Sequence, residues 1–343
     1  MYRMDCLRSD FTIKSSDFRK ALDVSPPTMS EILKKAGVSL LPEDGKRAGA
    51  RSMPPEHVRK ILQMRGFEYP ERARVIAFMI CKGGTGKTTS TFFLSQRLAA
   101  YGARVLVIDA DPQGNLTGAF ALDQYDLELD SNTPVLVDIF TNEAGIEDVI
   151  LKVTPFLHLL PSTPMNSTLD GRIREKFKNP SLPIKNLISS LSGQYDYILI
   201  DCAPALNLTN TAVVSAADLV VLPINPDNFS MMGLAQTLDE IETIERDFSV
   251  SVEKKIVLTR FDAREFTSLR YLSDVSQAYQ KNLCETVIKT SSDVKNVVTK
   301  RQDLFSVTKS SAKSDYDSFA QEIMGLHGLR KKTKKKPRES IKA

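Results

Sequence analysis

Three short stretches hold residues whose types and spacing suit phosphoryl chemistry. The first is Cys81-Lys82-Gly83-Gly84-Thr85-Gly86-Lys87-Thr88-Thr89. Glycines let a backbone turn its N–H groups toward an anion, and a following helix N-terminus adds a favourable dipole. Lys87 suits the β- and γ-phosphates of a nucleotide, and the Thr88 hydroxyl suits Mg²⁺. The second stretch, Asp109-Ala-Asp111-Pro-Gln113-Gly-Asn115, places two carboxylates where Mg²⁺-linked handling of water needs them. The third ends in Asp201, which closes the run Tyr195-Asp-Tyr-Ile-Leu-Ile and suits a place near Mg²⁺, through water. Phosphoryl transfer depends mainly on such positioning and charge stabilisation.

These residues need a scaffold, and the apolar runs supply one. Val75 to Ile80, Arg104 to Asp109, Tyr195 to Asp201, Asp218 to Ile224 and Lys255 to Asp262 read as strands. Helices are expected at Thr88–Tyr101, stopped by Gly102, and at Pro183–Leu191, Asn207–Ala216 and Leu234–Arg246. Two helical stretches and a strand over Glu285–Ile288 complete the unit. Residues 123–190 are less informative, with helical pieces at Asp138-Ile-Phe and Ile146–Val149. Strands alternating with helices give an α/β class with a mainly parallel sheet flanked by helices. Ligands of such open sheets lie beyond the carboxyl ends of the strands, where the glycine loop and the three aspartates fall.

The loop Lys82-Gly-Gly-Thr-Gly-Lys-Thr-Thr resembles the deviant Walker A of the ParA/MinD ATPases, with Cys81 where the usual pattern has its first glycine. The second stretch is similar to the D-x-D-P-Q-G-N motif of ParA proteins, and Leu157-His-Leu-Leu-Pro-Ser to that family's short strand. Tyr195–Asp201 reads as Walker B, although Ala203 in Cys202-Ala203-Pro204 stands where the family carries proline. The resemblance implies an ATPase using ATP and Mg²⁺. ATP would be held by Lys82, Gly83, Gly84, Thr85, Gly86, Lys87, Thr88 and Thr89. Catalysis would fall to Lys82, Lys87 and Asp111, with Lys82 reaching the partner's ATP across a homodimer and Asp111 positioning the attacking water. Thr88, Asp109 and Asp201 would serve the metal. Arg260 and Asp262 would border the adenine, an edge salt bridge being the alternative.

Residues 1–72 form a separate segment. Ser16 can cap a helix through Phe18–Leu22, a turn follows, and a second helix runs from Thr28 to Lys35, stopped by Gly37. A basic, glycine-containing stretch, Asp44 to Arg51, reads as a wing or loop, and Pro54-Pro-Glu opens a third helix ending at Gly66. The order resembles winged helix-turn-helix modules and the N-terminal domain of long, plasmid-type ParA proteins. Thr28, Ser30 and Lys34 would face a major groove while Lys46, Arg47 and Arg51 meet phosphates. The alternative is a small helical dimerisation or docking domain. Residues 67–74 read as a linker.

Charge is unevenly spread. Residues 1–74 carry 15 Lys/Arg and 10 Asp/Glu, residues 75–328 carry 23 and 31, and residues 329–343 carry 8 and 1. Basic ends around an acidic body suggest an anionic polymer as partner. The stretch around Lys289, Lys295, Lys300 and Arg301, with Arg270 upstream, parallels the family region that binds DNA without sequence preference; a solvated basic face is the alternative. The segment 73–328 is thus an ATPase domain and 329–343 a basic disordered tail. That tail lacks the apolar face of a membrane anchor. No run of 18 apolar residues occurs and the four cysteines show no C-x-x-C spacing, which excludes a transmembrane helix and argues for reduced thiols. The expected partners are DNA, a ParB-type centromere-binding protein and a second copy of the chain, in a cytoplasmic, nucleoid-associated setting. A nucleotide-switched, sequence-specific repressor is the second reading, and a MinD-like membrane-positioning ATPase the third.

Overall fold

The computed structural model describes residues 11–42, 51–120, 122, 129–130, 133–299, 304–306 and 310–326. The chain begins with β1 (Ile13–Lys14), α1 (Ser15–Ala21), α2 (Pro26–Ala36), β2 (Leu41–Pro42), β3 (Arg51–Met53) and α3 (Pro55–Met64). There follow β4 (Arg74–Phe78), α4 (Lys87–Ala100), β5 (Val105–Asp109), α5 (Asn115–Ala119), α6 (Leu136–Thr141), α7 (Ile146–Val149), β6 (Leu151–Thr154) and β7 (Leu157–Leu160). The remainder is α8 (Leu169–Lys176), α9 (Leu182–Ser190), β8 (Tyr197–Asp201), α10 (Leu208–Ala216), β9 (Leu219–Ile224), α11 (Asn228–Phe248), β10 (Glu253–Leu258), α12 (Phe266–Tyr279), α13 (Ser292–Thr299) and α14 (Ser311–Met324).

Seven strands form one sheet in the order β10-β9-β4-β8-β5-β7-β6. All neighbours are parallel except the edge strand β6, which runs antiparallel to β7. Every residue of β5, β8 and β9 is buried, as parallel strands covered on both faces require. Period-two alternation divides the core into two layers. Ile76 and Phe78 of β4 join the cluster under α4 and α14, while Val75, Ala77 and Met79 join the cluster under α10 and α11. The α/β, mainly parallel class expected from the sequence is the architecture observed.

Several expected elements differ. α11 starts at Asn228 rather than Leu234, because the Asp227 carboxylate accepts from Ser230 N and caps it. Residues 285–288 form no strand; Cys284 and Ile288 donate single bonds to Ile256 and Leu258 of β10, and only isolated bridges result. β6 and α8 were not anticipated. α1 is capped at Lys14 with no side-chain bond, so Ser16 lies inside the helix rather than capping it. α2 is capped by Ser25 and ends at Gly37, which has φ +61°. Met29, Ile32 and Ala36 of α2 are buried, leaving Thr28, Ser30 and Lys34 on its exposed side. β1, β3 and β2 make a small antiparallel sheet beside these helices.

Residues 67–74 are not a free linker. Phe67 and Tyr69 are buried edge to face at 4.9 Å, and the Tyr69 hydroxyl donates to Tyr101 O at 2.6 Å. Arg59 of α3 stacks over Tyr69 and pairs with Asp196 at 2.6 Å. One apolar cluster therefore runs from Phe11 through α4 into α14. The closest approach is at Gly102, with φ +80°, where an added Cβ would lie 2.6 Å from Pro55 O and from Arg59 Cβ. Gly102→Ala is expected to lower stability by about 1–3 kcal/mol, the scale of overpacking. A shifted urea midpoint would register it, and an unchanged midpoint would mean that the two segments do not press together there.

Candidate functional site

The site forms where β4, β5 and β8 end. The phosphate loop, residues 81–86, links β4 to α4, and Gly84 and Gly86 take φ +75° and +90°, angles that side chains with a Cβ rarely adopt. Outside elements hold the loop. Thr259 Oγ1 donates to Thr85 O at 2.7 Å and Asn225 Nδ2 to Gly84 O at 3.3 Å. Gly233 of α11 lets the helix approach closely, since a Cβ there would meet Lys82 Cβ at 3.2 Å.

Lys87 is buried, and its ammonium donates to Lys82 O at a long 3.3 Å. Burial holds its pKa below the ordinary lysine value, although Asp201 opposes the shift. The Thr88 hydroxyl donates to Asp201 Oδ2 at 2.7 Å, and Thr91 Oγ1 reaches Asp201 Oδ1 at 3.4 Å. Asp109 and Asp201 sit opposite one another in register on neighbouring strands. Burial pushes Asp201 up to about 8, with Asp109 adding repulsion, and burial pushes Asp109 up to about 6. The Asp109 carboxylate is turned to protein groups: Thr117 N and Oγ1 at 2.9 and 2.7 Å, and Asp111 N at 3.2 Å. Asp111 is buried at the rim, its carboxylate accepting from Gln113 N at 2.9 Å.

Lys82 is held within its own chain. Its ammonium meets Asp227 Oδ1 and Oδ2 at 2.6 and 2.9 Å and Ser230 Oγ at 3.1 Å. Partial burial opposes it, but the Lys82 bond keeps Asp227 below the usual carboxylate range. Asp227, Thr117, Thr91 and Thr259 are site residues that motif reading missed. Only Asp227 had a signal in the sequence, an Asp three residues before a serine at a helix start.

A cavity of about 600 Å³ opens beside the loop, lined by Gly86, Thr89, Arg260, Lys289, Lys295 and Tyr316 among others. Arg260 thus reaches the space next to the loop. Asp262 does not line it; its carboxylate is paired at 2.6 Å with Arg264 rather than with Arg260. Of the candidate DNA residues, Lys289 and Lys295 line this same cavity. Lys289 pairs with Asp315 at 2.8 Å, and Arg270 lies near Asp274 at 3.8 Å on α12. Ser30 bonds back to Pro26 O, and Thr28 to Ser25, at the start of α2. Lys34 and Arg51 are exposed. Lys46, Arg47, Lys300, Arg301 and the basic tail lie outside the described residues.

The residues present fit a triphosphate and a hard cation. The Thr85 hydroxyl is buried without a partner, and Lys87 is a buried cation on one long bond. The Thr88–Asp201 pair supplies oxygen donors of the kind Mg²⁺ takes.

Comparisons with known proteins agree with this geometry. A family model described as an AAA domain matches residues 73–256. The sporulation initiation inhibitor protein Soj of Bacillus subtilis is 30% identical over 63% of this chain and 83% of its own length. The chromosome partitioning protein ParA of Caulobacter vibrioides is 32% identical over 63% of this chain and 80% of its own. Among solved structures, a Borrelia burgdorferi putative plasmid partition protein bound to AMPPNP is 21% identical and shares the fold, with a TM-score of 0.61 over 74% of this chain and 98% of that one. Apo McdA of Cyanothece, 22% identical, does so with a TM-score of 0.66 over 74% and 100%.

Proposed function

We propose a function from the premise that this chain belongs to the AAA-domain family of ParA- and Soj-type P-loop ATPases: it is a partition ATPase whose ATP-bound dimer binds DNA. The observation that carries the reading is a phosphate loop whose Lys87, Thr88 and Lys82 converge on Asp201, Asp111 and Asp227 at the carboxyl end of one sheet. ATP would lie along residues 82–89, with Arg260 beside the base. Thr88 and Asp201 would hold Mg²⁺, which supplies charge neutralisation at the phosphates when bound. Asp111, at the rim of the site, would orient the attacking water. Asp109, committed to Thr117, would keep that strand end in shape.

Lys82 would leave Asp227 and reach the nucleotide of a second copy, so that ATP holds two chains together. The dimer would present the basic residues of both copies to duplex phosphates. A DNA-bound partner of the ParB kind would stimulate hydrolysis and release the dimer. Repeated cycles would move or space a plasmid or chromosomal locus.

Duplex binding measured across salt with ATP, ADP and no nucleotide tests this reading. Binding should require ATP, and log K should fall linearly with log salt. If all eight basic residues of 329–343 met phosphates, they would contribute a slope of about −7, and truncation at 328 should flatten the line. Equal binding in the three nucleotide states would overturn the reading.

A second reading rests on α2. Its exposed Thr28, Ser30 and Lys34, beside the β2–β3 ribbon, would suit a groove, and residues 1–72 would then read an operator. A defined palindromic footprint with ADP would support repression; uniform ATP-dependent coating would support partition alone. Among the described residues, no helix is long and apolar enough to cross a membrane.

A further inference from the structure

Past Asp201 the chain leaves the sheet. Cys202 N still bonds to Phe78 O, at 3.1 Å, and α10 begins six residues later at Leu208. The loop between them carries its own tight turn, Ala205 N to Ala203 O at 2.8 Å, with Pro204 and Leu206 exposed. Among the described residues, two bonds tie this turn to another element, and both come from one side chain. Asn210 Nδ2 donates to Ala203 O at 2.9 Å and to Ala205 O at 2.6 Å. Asn210 is 1% exposed, and its Oδ1 is buried without a partner.

That pattern fixes the amide's orientation and its purpose. Flipped, Oδ1 would face two carbonyl oxygens and bond to neither. The side chain therefore accepts a buried, unpaired acceptor in order to spend both N–H groups on the loop. It is not the helix cap: Asn207 Oδ1 already accepts from Asn210 N at 2.9 Å. The loop has no proline at 203 to stiffen it, and an Ala-Pro-Ala turn with exposed flanks would otherwise sample several conformations.

We propose that Asn210 is a positioning residue for ATP hydrolysis: by clamping the carbonyls of Ala203 and Ala205, it fixes the segment that leaves Asp201 at the edge of the phosphate site. The proposal needs only the ATPase activity of the family, not DNA binding or dimerisation.

Asn210→Ala removes the clamp. Asn210→Asp keeps the shape but has no N–H to donate. Both should lower kcat roughly 10- to 100-fold, the scale of a misplacement of about an ångström, with KM for ATP within about threefold. Amide hydrogen exchange should rise at residues 203–207 and stay unchanged in β8 and α4. Ala203→Pro placed in the Asn210→Ala background should recover part of kcat, because the ring restores stiffness at 203 without touching the phosphate site. A merely structural role for Asn210 would give neither rescue nor a selective loss of kcat. If the alanine variant does not fold, Asn210→Ser carries the test: with one donor left, an intermediate kcat supports the clamp. A folded variant with wild-type kcat and unchanged exchange at 203–207 overturns it, as does a rise in KM at constant kcat.

Discussion

Lys87→Ala is expected to abolish ATP binding and hydrolysis while leaving the fold intact. The wild-type ammonium is buried with one long bond to a backbone carbonyl, so it contributes little to folding as it stands. Desolvation even disfavours its charge. Its value lies in the ligand. Charge-assisted hydrogen bonds are worth about 1.5–3 kcal/mol each, so two lost to phosphate oxygens weaken binding roughly 10²- to 10⁴-fold. Isothermal titration should show the loss, and the urea midpoint should hold or rise. Retained tight binding would refute the assignment of the phosphate loop.

The second large effect concerns Lys82 and its tether. Lys82→Ala should weaken ATP-dependent dimerisation by at least about tenfold, because it removes the ammonium proposed to reach the partner's nucleotide. Asp227→Asn should act in the opposite direction and more weakly. It drops the negative charge yet keeps an oxygen that can cap α11, so the helix start survives. The ion pair is partly solvated, with side-chain exposures of 27% and 38%, and such pairs contribute about 0.2–1 kcal/mol. Freeing Lys82 should therefore tighten the ATP dimer by no more than about fivefold. Light scattering at several protein concentrations measures both. An unaltered ATP dimer in Lys82→Ala would show that the residue does not cross between subunits. An Asp227→Asn dimer weaker than wild type would show that the tether prepares Lys82 rather than restrains it.

Much of this protein is written locally. An apolar run closed by aspartate, or by glycines and Lys-Thr, is a strand end facing a ligand, because a parallel strand buried on both faces can place polar residues only at its tips. That logic located Lys87, Thr88, Asp109, Asp111 and Asp201, and the α/β class with them. Helix ends marked by Gly37 and Gly102 were legible for the same reason: only glycine takes a positive φ there without cost.

What the sequence left open depends on partners distant along the chain. Lys82 and Asp227 are separated by 145 positions and meet only because β9 lies beside β4, carrying the cap of α11 to the phosphate loop. Asp109 was expected to serve the metal, but α5 brings the Thr117 N–H and hydroxyl onto its carboxylate. Residues 67–74 read as a linker in the sequence, yet two aromatic rings seat them on Arg59 of α3 and the Tyr101 carbonyl. Residue type at a strand end settles what chemistry a chain can attempt. Sheet order settles which groups hold one another, since hydrogen bonds between remote segments leave no local trace.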